Sequence, residues 1–234
     1  MREETYGGVR VRVCGGLDGN GSGKGLLVVL LHGYGAPGDD LVPLASALRV
    51  PREVRFAFPE APIDLGRDAM GGRAWWHIDM AALQARARGE LTDRTHEVPQ
   101  GLVEAHASVE TTLDGLTRDL APSAILLGGF SQGAMLACDM VMQTKRSFAA
   151  LAMMSGTLIA QQHWEKVGKS RAGLHALVSH GRADPILPYA AAEKLRDFLT
   201  SVGLVVDWVP FQGGHGIPPD VMNGLARLIA GVSH

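Results

Sequence analysis

Residues 124–138 read AILLGGFSQGAMLAC, and within them Gly129-Phe130-Ser131-Gln132-Gly133 satisfies the pattern G-x-S-x-G. An apolar run precedes the motif and an amphipathic run follows it, so Ser131 would stand on a sharp turn between a strand and a helix. In that geometry the residues two before and two after the serine crowd each other. A Cβ at either place would clash, hence glycine at both. A serine hydroxyl is a poor nucleophile until a base takes its proton, and the base needs a third group to orient it.

Both partners are available downstream. After the apolar run LHALVS comes His180-Gly181-Arg182-Ala183-Asp184-Pro185-Ile186-Leu187-Pro188, where Asp184 follows a strand end and prolines stiffen the loop. After VVDWVPF comes Gly213-Gly214-His215-Gly216-Ile217, again with a single polar residue just past a strand, among glycines. Serine, acid and histidine thus occur in the order used by serine hydrolases on α/β sheets. Each sits at the carboxyl edge of a strand, where open α/β sheets place their sites. The plainer readings are a capping serine, a helix-capping Asp184 and a surface His215. Three coincidences in the right order weigh against them. His180 reads as a structural loop histidine. His77, His96, His106, His163, His175 and His234 are scattered, with no H-E-x-x-H and no spacing that suits a metal.

A second loop competes for attention. GLLVVLLHGYGAPGDD (25–40) runs from an apolar strand into Gly33-Tyr34-Gly35-Ala36-Pro37-Gly38, which fits the dinucleotide pattern G-x-G-x-x-G. Glu60 follows at about the place of a ribose-binding acid. The neighbours argue against a pyrophosphate. Asp39 and Asp40 would repel it at the start of the next helix, where they suit a cap. Pro37 removes an N–H that a phosphate cradle would use. The glycines are better read as letting the backbone pass close to a reacting carbonyl. The other glycine-rich stretch, GGLDGNGSGKG (15–25), is no phosphate loop, because Asp18 and Gly25 stand where that pattern needs Gly and Ser or Thr. It reads as a flexible hairpin loop.

The elements that would position these residues alternate along the chain. Val9–Val13 reads as an antiparallel strand at a sheet edge. Strands follow at Leu26–Leu31, Val54–Phe58, Ala124–Leu127, Phe148–Met154, Leu174–Ser179 and Leu204–Val209. Helices are expected at Asp39–Leu48, Leu102–Leu120, Gln132–Thr144, Pro188–Val202 and Pro218–Ala230. Residues 59–82 read as loop. The polar stretch 84–100 reads as a flap over the site or as an exposed loop. Repeated βα units with wholly apolar strands imply an α/β fold: a mostly parallel sheet of about seven strands with helices on both faces, in one domain spanning 1–234.

Composition narrows the partners. Net charge is −2 over 234 residues, which gives no basic excess for nucleic acid. The longest apolar run, Leu26–Leu31, is too short to span a bilayer. MREETYGG lacks the apolar core of a secretory signal, and two cysteines, Cys14 and Cys138, make no disulfide framework. The expectation is a cytoplasmic protein with no cofactor and no metal. The sequence leaves its oligomeric state open, a homodimer included.

The set HGYGAPGDD, GGRAWWHID, GGFSQGAMLA, SHGRADPILPY and GGHGIPPDV resembles the phospholipase/carboxylesterase family of α/β-hydrolases, which includes acyl-protein thioesterases. The resemblance runs over about residues 23–231, with the motifs in the family's order. It implies Ser131 as nucleophile, Asp184 as orienting acid and His215 as base. The backbone N–H groups of Tyr34 and Gln132 would form the oxyanion hole. Residues 71–102 differ from the thioesterase members and are similar to bacterial carboxylesterases, so the resemblance implies hydrolysis of an acyl-chain or small-molecule ester more firmly than protein deacylation. For the substrate pocket, Trp75, Leu158 and Ile217 are the favoured walls, with Tyr34 and Trp76 on the same sheet edge. The rival classes are a nicotinamide-dependent oxidoreductase built on the glycine loop, a non-catalytic ligand receptor, and an acyltransferase using an acceptor other than water.

Overall fold

A computed structural model describes residues 1–66, 71–79, 81, 85 and 96–233. Its main sheet contains strands β1 (Arg2–Tyr6), β2 (Val9–Gly16), β3 (Asn20–Ser22), β4 (Leu27–Leu31), β5 (Arg55–Pro59), β8 (Ile125–Phe130), β9 (Ala150–Met154), β10 (His175–Gly181) and β11 (Val205–Phe211). The order is β1-β2-β5-β4-β8-β9-β10-β11, with β3 beside the end of β2. From β5 to β11 every pairing is parallel, while β2 runs antiparallel to both β1 and β5. A separate two-stranded ribbon joins β6 (Ile63–Asp64) to β7 (Arg73–Ala74).

Strand β4 explains the layering. All five of its residues are buried. Leu27, Val29 and Leu31 join one apolar cluster, and Val28 and Leu30 the other, as the two-residue period of a strand requires. The first cluster is covered by helices Leu102–Leu120, Gln132–Gln143, Gln161–Val167 and Tyr189–Ser201. The second is covered by Leu44–Ala47 and Pro219–Gly231. Along Leu102–Leu120 the buried residues Ala105, Val109, Leu113, Leu116 and Leu120 recur at helical spacing. Among the described residues no helix is long and apolar enough to cross a membrane.

Several expectations are corrected. Strand Val9–Val13 is not at an edge, because β1 covers it. Its Arg12, on what looked like a solvent face, is only 8% exposed. The sheet is larger than seven strands, through β1 and β3, which the sequence reading missed. Of Asp39–Leu48 only Leu44–Ala47 is helical. Residues 39–45 form successive tight turns, Val42 N–H to Asp39 O and Ala45 N–H to Val42 O, both 3.1 Å. Pro43 has no N–H to offer the Asp39 carbonyl, so a helix cannot run through from Asp39. Asp39 and Asp40 therefore cap no helix. Helix Gln161–Val167 was also missed; its single buried residue, Trp164, leaves no periodic signal.

Candidate active site

Strand β8 ends at Phe130 and helix Gln132–Gln143 begins at once, leaving Ser131 alone in the turn. Its φ of 54° and ψ of −118° are strained for a residue with a side chain, and the Ser131 N–H is tied to Met154 O at 2.9 Å. The flanking glycines are sterically required. A Cβ on Gly129 would lie 2.5 Å from both Gly133 C and Leu31 O, and one on Gly133 only 2.1 Å from Leu31 O.

Asp184 and His215 meet although 31 residues separate them: His215 Nδ1 lies 2.6 Å from Asp184 Oδ2. Their loops cross so closely that a Cβ on Gly181 would stand 2.1 Å from Gly214 O. Ala183 N–H donates to Gly213 O at 2.9 Å. The Asp184 side chain is fully buried. Its Oδ1 accepts from the N–H groups of Ile186 (2.8 Å) and Leu187 (3.0 Å). Burial pushes the Asp184 pKa up, but the hydrogen bonds from His215, Leu187 and Ile186 outweigh it, and the net shift is downward. Phe130 lies against the His215 ring, centroids 4.7 Å apart, and the Ser155 hydroxyl donates to Gly216 O at 3.3 Å.

His180 also belongs to this cluster. Its Nε2 faces two acceptors, Leu187 O at 2.9 Å and Asp184 Oδ2 at 3.3 Å, so the proton sits on Nε2. Among the described residues its Nδ1 is buried without a partner.

On the other side of Ser131 runs the loop 33–38. His32 is buried, accepts from Ala61 N–H on Nε2 (2.9 Å), and so donates from Nδ1 to Gly33 O (2.8 Å). The Gly33 carbonyl and the Tyr34 N–H share one peptide plane and point opposite ways, so this bond also sets the direction of the Tyr34 N–H. Gly35 (φ 79°) donates its N–H to Arg73 O at 2.8 Å, which fixes the next plane. A Cβ on Gly33 would come within 3.3 Å of Ser131 Cβ, so the loop does pass close to the serine. Among the described residues, neither the Tyr34 N–H nor the Gln132 N–H donates to a backbone carbonyl.

A cavity of about 820 Å³ opens here, lined by Tyr34, Ser131, Gln132, Leu158 and His215 among others. Two of the favoured pocket walls are absent from it. Trp75 is 1% exposed and donates its indole N–H to His32 O (3.0 Å); its neighbour Trp76 faces the cavity instead. Ile217 packs with the apolar cluster on the far face of the sheet. The Gln132 side chain, which the sequence reading left without a role, holds this arrangement. It accepts from Trp75 N–H (3.0 Å) and donates to Trp76 O (2.8 Å). No local pattern announces such a bridge. Of the stretch 84–100, residues 84 and 86–95 lie outside the described residues. Its end, Glu97–Gln100, lines the cavity. Among the described residues no group of three or more His, Cys, Asp or Glu could hold a metal ion.

The model of the phospholipase/carboxylesterase family matches residues 22–233. The chain belongs to that family. This phospholipase/carboxylesterase family hydrolase is 27% identical over 180 residues to acyl-protein thioesterase 1 of Cryptococcus neoformans, covering 74% of the chain and 71% of the relative. Among solved structures it superposes on esterase PE8 with a TM-score of 0.76 and 26% identity, covering 94% of the chain and 97% of that protein. A carboxylesterase from Mesorhizobium loti shares the fold at a TM-score of 0.73 and 18% identity, over 99% and 100% of the two chains. The enzyme is thus an α/β-hydrolase of the carboxylesterase and thioesterase kind.

The buried histidines of this hydrolase carry a consequence for stability. Burial, the largest cause for each, lowers the pKa of His32 and of His180, so both stay neutral in the fold. An unfolded chain takes up these protons at about pH 6.5. Below that pH the unfolded state binds more protons than the folded one, and stability falls with falling pH until the folded pKa values are passed. The melting temperature should therefore drop between about pH 7.5 and 5.5, and less steeply in a His180→Asn variant. A flat profile would contradict the neutral assignment.

Proposed function

We propose that the chain hydrolyses carboxylic esters and thioesters of short- to medium-chain acyl groups through a Ser131–His215–Asp184 triad and an acyl-enzyme. The observation that carries this reading is the 2.6 Å bond between His215 Nδ1 and Asp184 Oδ2, with Ser131 and His215 lining one cavity. An Nδ1–H donated to Asp184 leaves Nε2 with its lone pair, the form a base needs. His215 takes the Ser131 proton as Oγ attacks the carbonyl. The oxyanion forms against the N–H groups of Tyr34 and Gln132, each worth about 3–4 kcal/mol to the barrier. The N-terminal end of helix Gln132–Gln143 adds its dipole. His215 then protonates the leaving alcohol or thiol, and water resolves the acyl-enzyme.

Met135, Leu158, Ile159, Ile186 and Leu187 form an apolar wall for the acyl chain. A thiol leaving group is included because one relative is named an acyl-protein thioesterase, and an alcohol because another is named an esterase. The test is a fluorophosphonate probe with peptide mapping, beside hydrolysis of p-nitrophenyl butyrate. The expected adduct is on Ser131 and is absent from Ser131→Ala. A folded wild type that takes no probe would support a ligand receptor instead.

A further inference from the structure

Glu60 stands where a dinucleotide-binding protein would keep its ribose acid, yet it does not line the cavity at Ser131. Its side chain is 8% exposed, and it gathers arginines from two separate elements. Arg12, from β2, brings Nη1 to 3.2 Å of its carboxylate; Arg73, from β7, brings Nε to 3.3 Å; Arg10 lies farther, at 3.8 Å. Such a buried cluster is costly to desolvate and is weak support for stability as such. Its contacts lead to the glycine loop.

Both arginines hold that loop. The same Arg12 Nη1 that meets Glu60 donates to Gly38 O at 3.0 Å. Arg73 holds the other end with its backbone: its O accepts from Gly35 N–H at 2.8 Å, and its N–H donates to Ala36 O at 2.9 Å. The Arg73 Nε, which faces Glu60, also donates to Ala61 O at 2.6 Å, so that the guanidinium anchors its own backbone. Gly38 (φ 91°) lies directly on the acid, since a Cβ there would be 2.6 Å from Glu60 Cγ. The loop is thus gripped at Gly35–Ala36 and at Gly38, and Glu60 touches both grips.

We infer that Glu60 is a positioning residue for the oxyanion loop, acting through Arg12 and Arg73 to hold residues 33–38 so that the Tyr34 N–H stays aimed beside Ser131. This rests on the oxyanion role proposed for Tyr34. Donors in such a hole act by preorganisation, so a loosened loop weakens binding of the tetrahedral state and leaves ground-state binding nearly intact.

Two variants test it, Glu60→Gln and the milder Arg12→Lys, which keeps the charge but loses the planar guanidinium whose separate nitrogens reach Glu3 on one side and Gly38 and Glu60 on the other. Active sites are counted by fluorophosphonate titration, so that a misfolded fraction does not enter the rates. For p-nitrophenyl butyrate, kcat per active site should fall roughly tenfold or more in Glu60→Gln and by a smaller factor in Arg12→Lys, with KM within about twofold. Affinity for an alkyl boronic acid, which forms a tetrahedral serine adduct, should fall by the same factor as kcat. Affinity for the planar amide of the same chain should hold. Independently of either variant, the Gly35 and Arg73 amides of the wild type should be strongly protected from hydrogen exchange.

Unchanged kcat per site and unchanged boronate affinity in either variant that folds would overturn the inference. So would loop-like exchange at Gly35 and Arg73. A wild type that takes neither the probe nor the boronate would overturn the hydrolase reading itself, and this inference with it.

Discussion

Replacing Ser131 by alanine should lower kcat for p-nitrophenyl butyrate by about 10⁶-fold with little change in KM. The exchange removes one oxygen and disturbs little else. The backbone at Ser131 is held by its N–H bond to Met154 O and by the close approach of Gly129 and Gly133 to Leu31, none of which involves the hydroxyl. The cavity and both candidate oxyanion amides remain, so a residual rate of about 10³–10⁴ over water is expected from binding and polarisation alone. Single-turnover kinetics would show no acyl-enzyme burst. Turnover within about a hundredfold of wild type would remove Ser131 from the mechanism.

Asp184→Asn should cost about 10⁴-fold in kcat while the chain stays folded. The Asp184 carboxylate answers four donors: His215 Nδ1, His180 Nε2, and the N–H groups of Ile186 and Leu187. An asparagine has one acceptor oxygen and one donor nitrogen. If its oxygen stays with the two loop amides, its NH₂ faces His215. The imidazole must then present a lone pair at Nδ1, and the proton moves to Nε2, the tautomer that cannot act as base toward Ser131. The expected signature is a large loss of kcat with a fluorophosphonate reaction slowed in parallel. A loss below about tenfold would mean that Asp184 serves only its own loop.

How much of this was legible depends on how local each signal was. Ser131, Asp184 and His215 each follow an apolar strand, in segments with glycines forced by chain crossings: Gly133 against Leu31, Gly181 against Gly214. A residue type demanded by backbone crowding leaves a mark in the sequence even when the crowding partner is distant. Helix Leu102–Leu120 was legible for the same kind of reason, since its buried positions repeat along one face.

The pocket was not legible, because neighbouring side chains compete for it. Trp75 and Trp76 are equivalent in type and adjacent in sequence. Which of them faces the cavity is decided by the Gln132 side chain bonding to both backbones, and by the Trp75 indole reaching His32 O. Ile217 turned to the other face of the sheet by the same logic of partners.

By itself, then, the sequence determined the fold class and the three residues offered for chemistry, since those rest on strand periodicity and on glycines at forced turns, while the family came from the resemblance of whole motifs. Only the tertiary structure decided what surrounds them. Asp39 and Asp40 lost their helix to Pro43, Arg12 went inward, and Glu60, a plausible ribose acid by spacing, became the hub joining Arg12 and Arg73. The physical reason is that a buried charge is placed by whichever counter-charges can reach it, and the reach from residue 12 to 60 to 73 exists only once the sheet and its loops have closed.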